Sequence, residues 1–519
     1  METKESRRIP NWIVRILILL AVVGALALRL PRLDLRPLHG DEANQGIKTS
    51  ILLEEGKYTY DPIDHHGPTL YYLALPLAWA RGQFDRQSLT ETTLRLEPVL
   101  AGTCLVALVF LLRGALGTWA TLWAALFTAV SPALVFYSRF YIQETLLVLF
   151  TFTTLAAVWR YTRSHAARWL IVAGASAGLM HATKETCVLA FASMAGAAVL
   201  TFTWVRLRDG RFLSLRPHLR PLPIAAAVAA AIVLSVVFYS SFFTNGRGVL
   251  DSILTYANYA HKADGSHIHD KPWYYYLRLL ILTHNGAGPW WSEALIVGLA
   301  GCGAVFGLCQ KNGNRLIQFL AFYTLLLTAA YSIIAYKTPW CAINFLQPMA
   351  LLAGFGAVNL IVAVRPLIPT GVTIALLLAG VCHLGLQTYR ANFEYFADPR
   401  NPYVYAHTST ALVKMTDRVE DIAKISPEGR GLFIRVIAPD GDYWPLPWYL
   451  RRFSKVGYWP NIPEDCDAAL IIAPSTLYPQ IAPHLRDEYQ TQTYTLRPGV
   501  FRLLFVRKDL WDEFMKTRV

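Results

Sequence analysis

Charged residues are scarce in this chain. Only 16% of its 519 residues are Asp, Glu, Lys or Arg, whereas 54% are hydrophobic. A soluble globular protein has about 25% charged residues. This balance, together with a mean hydropathy of +0.34, excludes an ordinary soluble protein and predicts an integral membrane protein.

Patterned cysteines and a cleavable leader are lacking as well. The seven cysteines are scattered and include no Cys-x-x-Cys pair, which argues against a zinc site or a disulfide framework. The first apolar run, 12–30, is too long for a signal peptide and is followed by arginines rather than a small-residue cleavage site, so we predict a membrane anchor. Much of the net charge of +13 lies in short loops beside apolar runs, where basic residues set topology. It therefore indicates a lipid bilayer, and not nucleic acid, as the partner.

Apolar runs long enough to span a membrane recur along the chain. A spanning helix needs about 20 mostly apolar residues, and the sequence offers eleven candidates, at 12–30, 96–113, 118–138, 145–161, 168–183, 186–205, 223–243, 292–309, 316–335, 342–364 and 370–388. The run 69–80 is too short to span. We predict an interfacial helix there, with Tyr71, Tyr72 and Trp79 at headgroup depth. The expected fold is a polytopic α-helical membrane protein with about eleven transmembrane helices.

Basic residues concentrate on one side of this predicted topology. The loop 206–222 and the groups near 160–168, 311–315 and 365 fall on the same side as the N-terminus. Cytoplasmic loops are rich in Lys and Arg, so we predict a cytoplasmic N-terminus in a multi-pass protein of the plasma or inner membrane. Large outer loops are then expected at 31–95 and 244–291.

The C-terminal stretch 389–519 contains no candidate span. Its apolar runs 431–438 and 468–473 are typical of short buried strands. We predict a transmembrane domain at 1–388 and a small extracytoplasmic α/β domain at 389–519.

Two adjacent carboxylates, Asp41 and Glu42, lie on the first outer loop. One of them could act as a general base. Alternatively, the pair caps a helix that begins near Ala43, since acids are favourable at a helix N-terminus. The tight turn 137–144 adds Arg139 and Glu144, where Arg139 either binds a phosphate or pairs with Glu144.

Lysines interrupt apolar runs at their outer ends. Lys184, followed by Glu185, and Lys337 are usable point charges for a phosphate, although each alone could be a snorkelling anchor. Together they would surround the acidic pair with cations, which suits an anionic lipid-linked substrate. Histidines collect on the same side, and His267, His269 and Asp270 could contribute ligands to a divalent metal ion, although their spacing matches no zinc signature.

Several of these stretches resemble known families. The acidic pair, the turn 139–144 and Lys184 resemble the GT-C superfamily of polytopic glycosyltransferases, which includes the protein O-mannosyltransferases of glycosyltransferase family 39 and the aminoarabinose transferases. More narrowly, the stretches 39–43, 64–72 and 442–451 resemble a prokaryotic family described as flippase activity-associated. The resemblance implies a GT-C fold and a sugar donor linked to a polyprenyl phosphate.

The resemblance also implies roles for individual residues. The catalytic acids would be Asp41 as the base, with Glu42 and Glu144; the donor phosphate would be bound by Arg139, Lys184 and Lys337; and the substrate loop would include His65, His66 and Tyr141. Two departures put the donor in question. The chain has His66-Gly67-Pro68 where relatives tend to have Lys-Pro-Pro, and Lys184-Glu185 where they tend to have Lys-Gly.

The expected function is transfer of a sugar from a polyprenyl-phosphate donor to a protein, lipid or glycan acceptor at the outer face. One base and a stabilised leaving group fit a single displacement with inversion. The alternatives are a lipid-linked sugar flippase or transporter and a non-catalytic glycan-binding membrane protein. Transporters place ionisable residues near the middle of the bilayer and often contain repeats, and the sequence indicates neither feature.

Overall fold

The computed structural model describes residues 10–63, 66–212, 214, 216–262, 269–311, 313–439, 441–486 and 488–518. The first half of the chain is almost entirely helical. Its helices are α1 (Asn11–Arg29), α2 (Gly40–Glu55), α3 (Thr69–Ala80), α4 (Glu91–Leu108), α5 (Arg113–Leu116), α6 (Thr118–Val130), α7 (Pro132–Tyr137), α8 (Glu144–Ser164), α9 (Ala167–His181), α10 (Cys187–Asp209) and α11 (Pro221–Tyr239).

The helical bundle continues to residue 389 and contains one short hairpin. Its further elements are α12 (Arg247–Lys262), α13 (Tyr275–Ile281), β1 (Thr283–His284), β2 (Trp290–Trp291), α14 (Ala294–Cys309), α15 (Arg315–Ile333), α16 (Ile343–Val364) and α17 (Thr370–Tyr389).

Eight helical segments of the described chain are long and apolar enough to span a membrane. They are Trp12–Arg29, Glu91–Leu116, Glu144–Ser164, Cys187–Asp209, Pro221–Tyr239, Arg315–Ile333, Pro339–Val364 and Thr370–Glu394. The protein is therefore a multi-pass membrane protein, as the composition predicts.

The other three predicted spans also fall on helices, but on shorter ones. α6, α9 and α14 have 13, 15 and 16 residues. With a rise of about 1.5 Å per residue, none of them reaches the ~30 Å thickness of the hydrocarbon core. The predicted run 118–138 divides at Ser131, where α6 ends and the proline-initiated α7 begins.

Glycines bring two of these shorter helices close to their neighbours. A Cβ atom added at Gly174 or Gly178 of α9 would overlap the backbone of α11. Likewise, a Cβ at Gly303 of α14 or at Gly356 of α16 would overlap the backbone of the other helix. Such small residues allow helix backbones in membranes to approach each other closely, so these helices are integral to the bundle.

The helix α3 matches the predicted short apolar helix, but its tyrosines differ in environment. Trp79 is half exposed, as expected for headgroup depth, whereas Tyr71 is fully buried and hydrogen-bonded to Gln45 of α2. The prediction for Tyr71 is wrong, because α2 covers this face of α3. Tyr72 lies between these extremes and bonds to Ser241.

The two ends of the bundle differ in charge. At one end, called here the basic end, the loops 160–168, 206–222 and 309–315 contact one another through an Arg315–Asp209 ion pair of 3.0 Å and a hydrogen bond of 2.9 Å from Tyr161 to the carbonyl of His218. α8 runs from Glu144 to this end, so Glu144 lies at the opposite end. That opposite end, which also carries Asp41 and Lys184, is called here the site end.

The C-terminal part forms a small α/β unit. Its elements are α18 (Thr410–Ile425), β3 (Ile434–Ile437), α19 (Leu446–Tyr449), β4 (Val456–Trp459), β5 (Leu470–Pro474), α20 (Tyr478–Ile481), β6 (Tyr489–Arg497), β7 (Val500–Arg507) and α21 (Lys508–Lys516). The sheet order is β4-β3-β5-β7-β6. β3 is parallel to β4 and β5, and β7 is antiparallel to β5 and β6.

Two apolar clusters hold this unit together. One lies beneath α18 and α21 and includes Leu412, Ile434 and Phe514, and the other covers the opposite sheet face around Ile471 and Phe505. Ala391 and Tyr403, by contrast, pack in the core of the bundle. The compact α/β core therefore begins near Ser409.

The segment 444–451 joins the α/β unit to the first loop of the bundle. The indole N–H of Trp448 donates to Glu91 at 2.6 Å, and the guanidinium of Arg451 donates to the carbonyl of Leu89 at 2.7 Å. The hydroxyl of Tyr449 accepts the backbone N–H of Leu38 at 2.8 Å. The α/β unit is thus attached directly to the chain that leads to Asp41.

Candidate active site

Asp41 lies in the first turn of α2 with a half-exposed carboxylate. Its side chain is 52% exposed and lies 3.6 Å from Nδ1 of His39. The same nitrogen accepts the backbone N–H of Asp41 at 3.0 Å and caps the helix. A negative charge is favourable at this helix end. Asp41 is therefore held by its backbone while its carboxylate stays accessible.

Glu42, its neighbour, is fully buried. Its oxygens accept two hydrogen bonds from the guanidinium of Arg95, at 2.8 and 2.7 Å. They also accept the backbone N–H groups of Tyr141 at 2.9 Å and of His39 at 3.1 Å. The last contact completes a capping box, so the capping alternative holds for Glu42. With both oxygens occupied, this carboxylate is suited to a structural role.

Charge keeps Glu42 ionised. Burial acts to raise the pKa of Glu42, but the guanidinium groups of Arg95 and Arg36 act against it, and the pKa lies below its ordinary value. Arg36 lies 3.7 Å away. Glu42 is therefore a buried anion held by two cations.

Arg95 is a site residue that the sequence reasoning missed. Besides Glu42, its guanidinium donates to the carbonyl groups of Leu33 at 2.6 Å and Arg36 at 2.7 Å. It thereby fastens the loop that leads into α2. The available signal was an arginine directly before the predicted span 96–113. It lies within the first two turns of the observed apolar helix Glu91–Leu116, and a charge in a membrane helix requires a partner.

Arg139 is occupied by backbone carbonyl groups. It donates to those of Arg29 at 2.6 Å, Pro31 at 2.8 Å and Arg32 at 3.1 Å, and it lies over the ring of Phe393. These contacts close the C-terminal end of α1, where carbonyl groups lack partners within the helix. They favour a structural role for Arg139 over the expected binding of a phosphate.

Lys184 and Glu144 form a buried ion pair at the site end. The alternative pairing of Glu144 with Arg139 is therefore not the one found. Burial acts to lower the pKa of Lys184, but the charge and hydrogen bond of Glu144, together with Cys341 and Glu185, act against it, and the pKa is raised. Lys184 therefore stays positively charged.

The phenol of Tyr336 lies within electrostatic reach of both Asp41 and Lys184. Burial and the negative charge of Asp41 raise the pKa of Tyr336 to about 12, while the positive charge of Lys184 acts to lower it. The ring lies 4.8 Å from that of His269. Tyr336 thus lies near both the accessible carboxylate and the buried ammonium.

Lys337, the next residue, is turned inward. Its side chain is buried, and its ammonium donates to the carbonyl groups of Lys271, at 3.0 Å, and Ile334. Burial lowers its pKa, and Asp270 acts in the opposite direction. These contacts join two loops at the site end and favour a structural role for Lys337 over phosphate binding.

The loop that contains His66, predicted to be a substrate loop, reaches the site end. Its Nδ1 lies 2.9 Å from a carboxylate oxygen of Glu185. Burial acts to raise the pKa of Glu185, but His66 acts against it, and the pKa is lowered. A Cβ atom at Gly67 would overlap the carbonyl oxygen of Ala182, so the loop lies directly on the turn that carries Lys184. His65 lies outside the described residues.

Tyr141 does not line the substrate loop. It is fully buried, its hydroxyl lies 2.8 Å from that of Thr49, and it donates to the carbonyl of Leu70 at 3.2 Å. The expectation that Tyr141 meets the substrate is corrected by this burial, which arises because α2 and α3 cover the turn 138–143. Tyr141 instead positions Glu42 through its backbone N–H.

Of the candidate metal ligands, His269 lies within electrostatic reach of Asp41. Nδ1 of His269 lies 2.6 Å from the hydroxyl of Tyr405. Burial lowers the pKa of His269, and Asp41 acts in the opposite direction. His267 lies outside the described residues. Within the described part of the chain, no group of three His, Cys, Asp or Glu side chains, Asp270 included, is arranged to hold a metal ion.

Comparison with known proteins identifies the architecture. Residues 86–239 match the family model for dolichyl-phosphate-mannose-protein mannosyltransferase. The structure of ArnT from Cupriavidus metallidurans bound to undecaprenyl phosphate superposes with a TM-score of 0.63 at 15% identity, covering 95% of this chain and 98% of that one. This chain has the GT-C glycosyltransferase fold.

A second structure with the GT-C fold also superposes on this chain. The Archaeoglobus fulgidus oligosaccharyltransferase tethered to an acceptor peptide with the NVT sequon superposes with a TM-score of 0.53 at 14% identity, covering 97% of this chain and 74% of that one. No curated protein matches the sequence. The GT-C resemblance expected from the sequence is thus confirmed for the fold.

The matched family region covers only some of the candidate site residues. It includes Arg95, Glu144 and Lys184, but Asp41 and Lys337 lie outside it. At the site end, Asp41 thus offers an accessible carboxylate and Lys184 a buried ammonium. Such a pair can remove a proton from an attacking group and stabilise negative charge on a leaving group.

Proposed function

We propose that this protein transfers a sugar from a polyprenyl-phosphate-linked donor to a hydroxyl group of an acceptor. Asp41 takes the proton of that hydroxyl, whose oxygen forms a bond to the anomeric carbon of the sugar. The bond between that carbon and the phosphate oxygen breaks, and its electron pair leaves with the lipid phosphate. Because one nucleophile replaces one leaving group, the configuration at the anomeric carbon inverts.

The observation that carries the proposal is the placement of Asp41 on this fold. Of the acids Asp41, Glu42, Glu144 and Glu185, Asp41 is the exposed one, whereas the other three are buried beside cations or a histidine. A general base must reach the proton that it removes. This requirement favours Asp41 and assigns Glu42 a positioning role.

Lys184 is the proposed ligand of the donor phosphate. An ammonium group has three N–H donors, so Lys184 can bind Glu144 and a phosphate oxygen at the same time. Its charge would stabilise the leaving phosphate as negative charge develops there. The undecaprenyl phosphate bound to ArnT supports a polyprenyl phosphate as the class of carrier.

We place the site end on the outer side of the membrane. The loops of the basic end lie together, and cytoplasmic loops carry the excess of Lys and Arg. The N-terminus is then cytoplasmic, and the α/β unit lies outside with the acceptor.

The test is transfer of radiolabelled sugar from polyprenyl-phosphate donors in membranes that contain the full chain. Asp41→Asn keeps the shape of the side chain and removes the base, so we expect transfer to fall by about 10²–10⁴-fold. Glu55→Gln is the matched control, because Glu55 is an exposed acid at the other end of the same helix. Its transfer should stay near the wild-type rate.

Two results would contradict the proposal. Full activity of Asp41→Asn would move the base to another residue. Absence of transfer by the wild-type protein from every donor tried would favour the flippase or glycan-binding alternatives. Inversion is checked separately, by NMR of the anomeric configuration in donor and product.

A further inference from the structure

A cavity of about 220 Å³ lies in the C-terminal sheet, apart from the site described above. Its walls come from the chain that follows β3, the chain that follows β5 and the turn between β6 and β7. They include Asp442, Ser475, Thr476, Phe501 and Arg502. None of these residues has a part in the proposed transfer.

The position of the cavity in the sheet is that of a ligand site. β3 and β5 are parallel neighbours, and the cavity lies beyond their carboxyl ends. From β3 the chain continues to β4 on one side of the sheet, and from β5 it continues to β6 and then β7 on the other side. Open α/β sheets bind ligands in the crevice at such a point, where the strand order reverses.

The polar groups of the cavity are fixed in place. The carboxylate of Asp442 accepts two hydrogen bonds from Arg497, both at 2.8 Å, and lies 3.1 Å from the guanidinium of Arg502. Arg502 also donates to the backbone carbonyl of Asp442 and is only 4% exposed. Asp442 therefore cannot change its orientation without breaking paired contacts, which makes the cavity a preformed one.

The lining combines hydroxyl-binding groups with an exposed ring. Ser475 and Thr476 add two hydroxyl groups, which donate and accept hydrogen bonds. The ring of Phe501 is 45% exposed and offers an apolar face. A sugar presents hydroxyl groups at its edge and C–H groups on its face. The volume is below the ~300–1,000 Å³ of pockets for drug-sized ligands and suits a single sugar ring.

The cavity is connected to the first loop of the bundle. Trp444, two residues after Asp442, packs on Gly40, because a Cβ atom at Gly40 would lie 3.5 Å from the Cβ of Trp444. Gly40 immediately precedes Asp41. The chain that lines the cavity at Asp442 thus leads, two residues later, to a contact with the segment that carries the proposed base.

We propose that this cavity is a saccharide subsite that binds one sugar ring of a glycan acceptor while another part of the acceptor reaches Asp41. The role in transfer rests on the proposed function, whereas sugar binding by the cavity does not. The acceptor class is therefore a glycan or a glycan-bearing molecule.

Sugar binding is tested on the full chain in lipid nanodiscs by saturation-transfer NMR. The probes are methyl α-D-mannopyranoside and methyl β-D-glucopyranoside, with inorganic phosphate followed by ³¹P line broadening. Thr476→Trp fills the cavity, and the matched control is Thr493→Trp, at an exposed threonine on β6 of the same unit. We expect at least one sugar to show saturation transfer with wild type and Thr493→Trp, and a loss of at least tenfold with Thr476→Trp.

Three results would overturn the subsite. They are no saturation of either sugar by the wild-type protein, equal saturation with Thr476→Trp and Thr493→Trp, and binding of phosphate without either sugar. Phe501→Ala provides a second variant, because its exposed ring can be removed without opening the core. It should weaken sugar binding while leaving the melting temperature unchanged.

Transfer measurements separate this inference from the proposed function. Thr476→Trp should raise the KM for the acceptor, while thermal stabilisation by undecaprenyl phosphate stays at the wild-type value. Sugar binding without any transfer by the wild-type protein would refute the proposed function and leave the subsite standing. Transfer with an unchanged acceptor KM in Thr476→Trp would refute the acceptor role of the cavity.

Discussion

Replacing Glu42 by Gln tests the reading of this residue as a buried structural anion. Gln has nearly the same shape but carries no charge, so Arg95 and Arg36 would lose their shared partner. The amide of Gln also directs two N–H donors toward groups that are themselves donors. We expect Glu42→Gln to destabilise the protein because it leaves buried positive charge uncompensated.

The magnitude follows from the burial of the pair. Glu42 is 0% exposed and Arg95 is 1% exposed, and removing one partner of a buried ion pair costs about 3–5 kcal/mol. With an unfolding entropy of about 2.1 cal/mol/K per residue, this loss lowers the melting temperature of the 519-residue chain by about 3–5 °C. Arg95→Met should cost a similar amount.

Thermal unfolding of the purified protein in one detergent measures all the variants together. The double variant Glu42→Gln/Arg95→Met removes both charges, so it should be more stable than the sum of the single losses predicts, by about 1–3 kcal/mol. A melting temperature of Glu42→Gln within 1 °C of wild type, combined with complete loss of transfer, would refute the structural reading. Glu42 would then be the base.

Three further predictions concern charge, packing and pH. Lys184→Gln should lower transfer by about 10²–10³-fold and should also lower the melting temperature. The double variant Lys184→Gln/Glu144→Gln should recover the melting temperature but not transfer. Recovery of both would exclude Lys184 as the phosphate ligand. Gly67→Ala should destabilise by about 1–3 kcal/mol, because its Cβ overlaps the carbonyl oxygen of Ala182; an unchanged melting temperature would show that the loop can move. Burial, with the nearby His39 and Arg36, lowers the pKa of His407 well below 6.5, so below pH 6.5 the unfolded state binds a proton that the folded state does not. The free energy of unfolding should therefore decrease as the pH is lowered below 6.5, by at most about 1.4 kcal/mol per pH unit. His407→Asn should flatten this slope in melting curves recorded from pH 7.5 to 5.

The sequence predicts the helices well because their cause is local. Each of the eleven predicted apolar runs falls on a helix, and eight of the runs fall on helical segments that are long enough to span a membrane. The lengths of the helices are less well predicted, since the break between α6 and α7 at Ser131 depends on Pro132 and on the neighbours of α7. The burial of Tyr71 depends on α2, which no local pattern reveals.

The sequence predicts which residues lie at the site end better than it predicts their contacts. Composition and resemblance identify Asp41, Glu144 and Lys184, and the structure brings all three to one end of the bundle. Arg139 and Lys337 are near this end as expected, yet their cationic groups bind backbone carbonyl groups. Which acceptor a cation meets depends on loops from distant parts of the chain, and sequence spacing carries no information about that.

The arrangement of charges explains how an accessible carboxylate can be held at one end of the bundle. Glu42 with Arg95, Glu144 with Lys184, and Glu185 with His66 each join segments that are far apart in sequence. Separating any of these buried partners would leave an unpaired charge at high cost, so the loops of the site end are kept in one arrangement.

The α/β unit adds a constraint on the same loop. The backbone of Leu38, three residues before Asp41, donates its N–H to the hydroxyl of Tyr449 at 2.8 Å and accepts the hydroxyl of Thr408 at 2.6 Å. Both partners belong to the chain that follows the last span. A carboxylate whose own oxygens must stay available to a substrate can be positioned only through its backbone and its neighbours. The bundle supplies part of that support through Glu42, and the α/β unit supplies the rest, so the position of Asp41 depends on both parts of the chain.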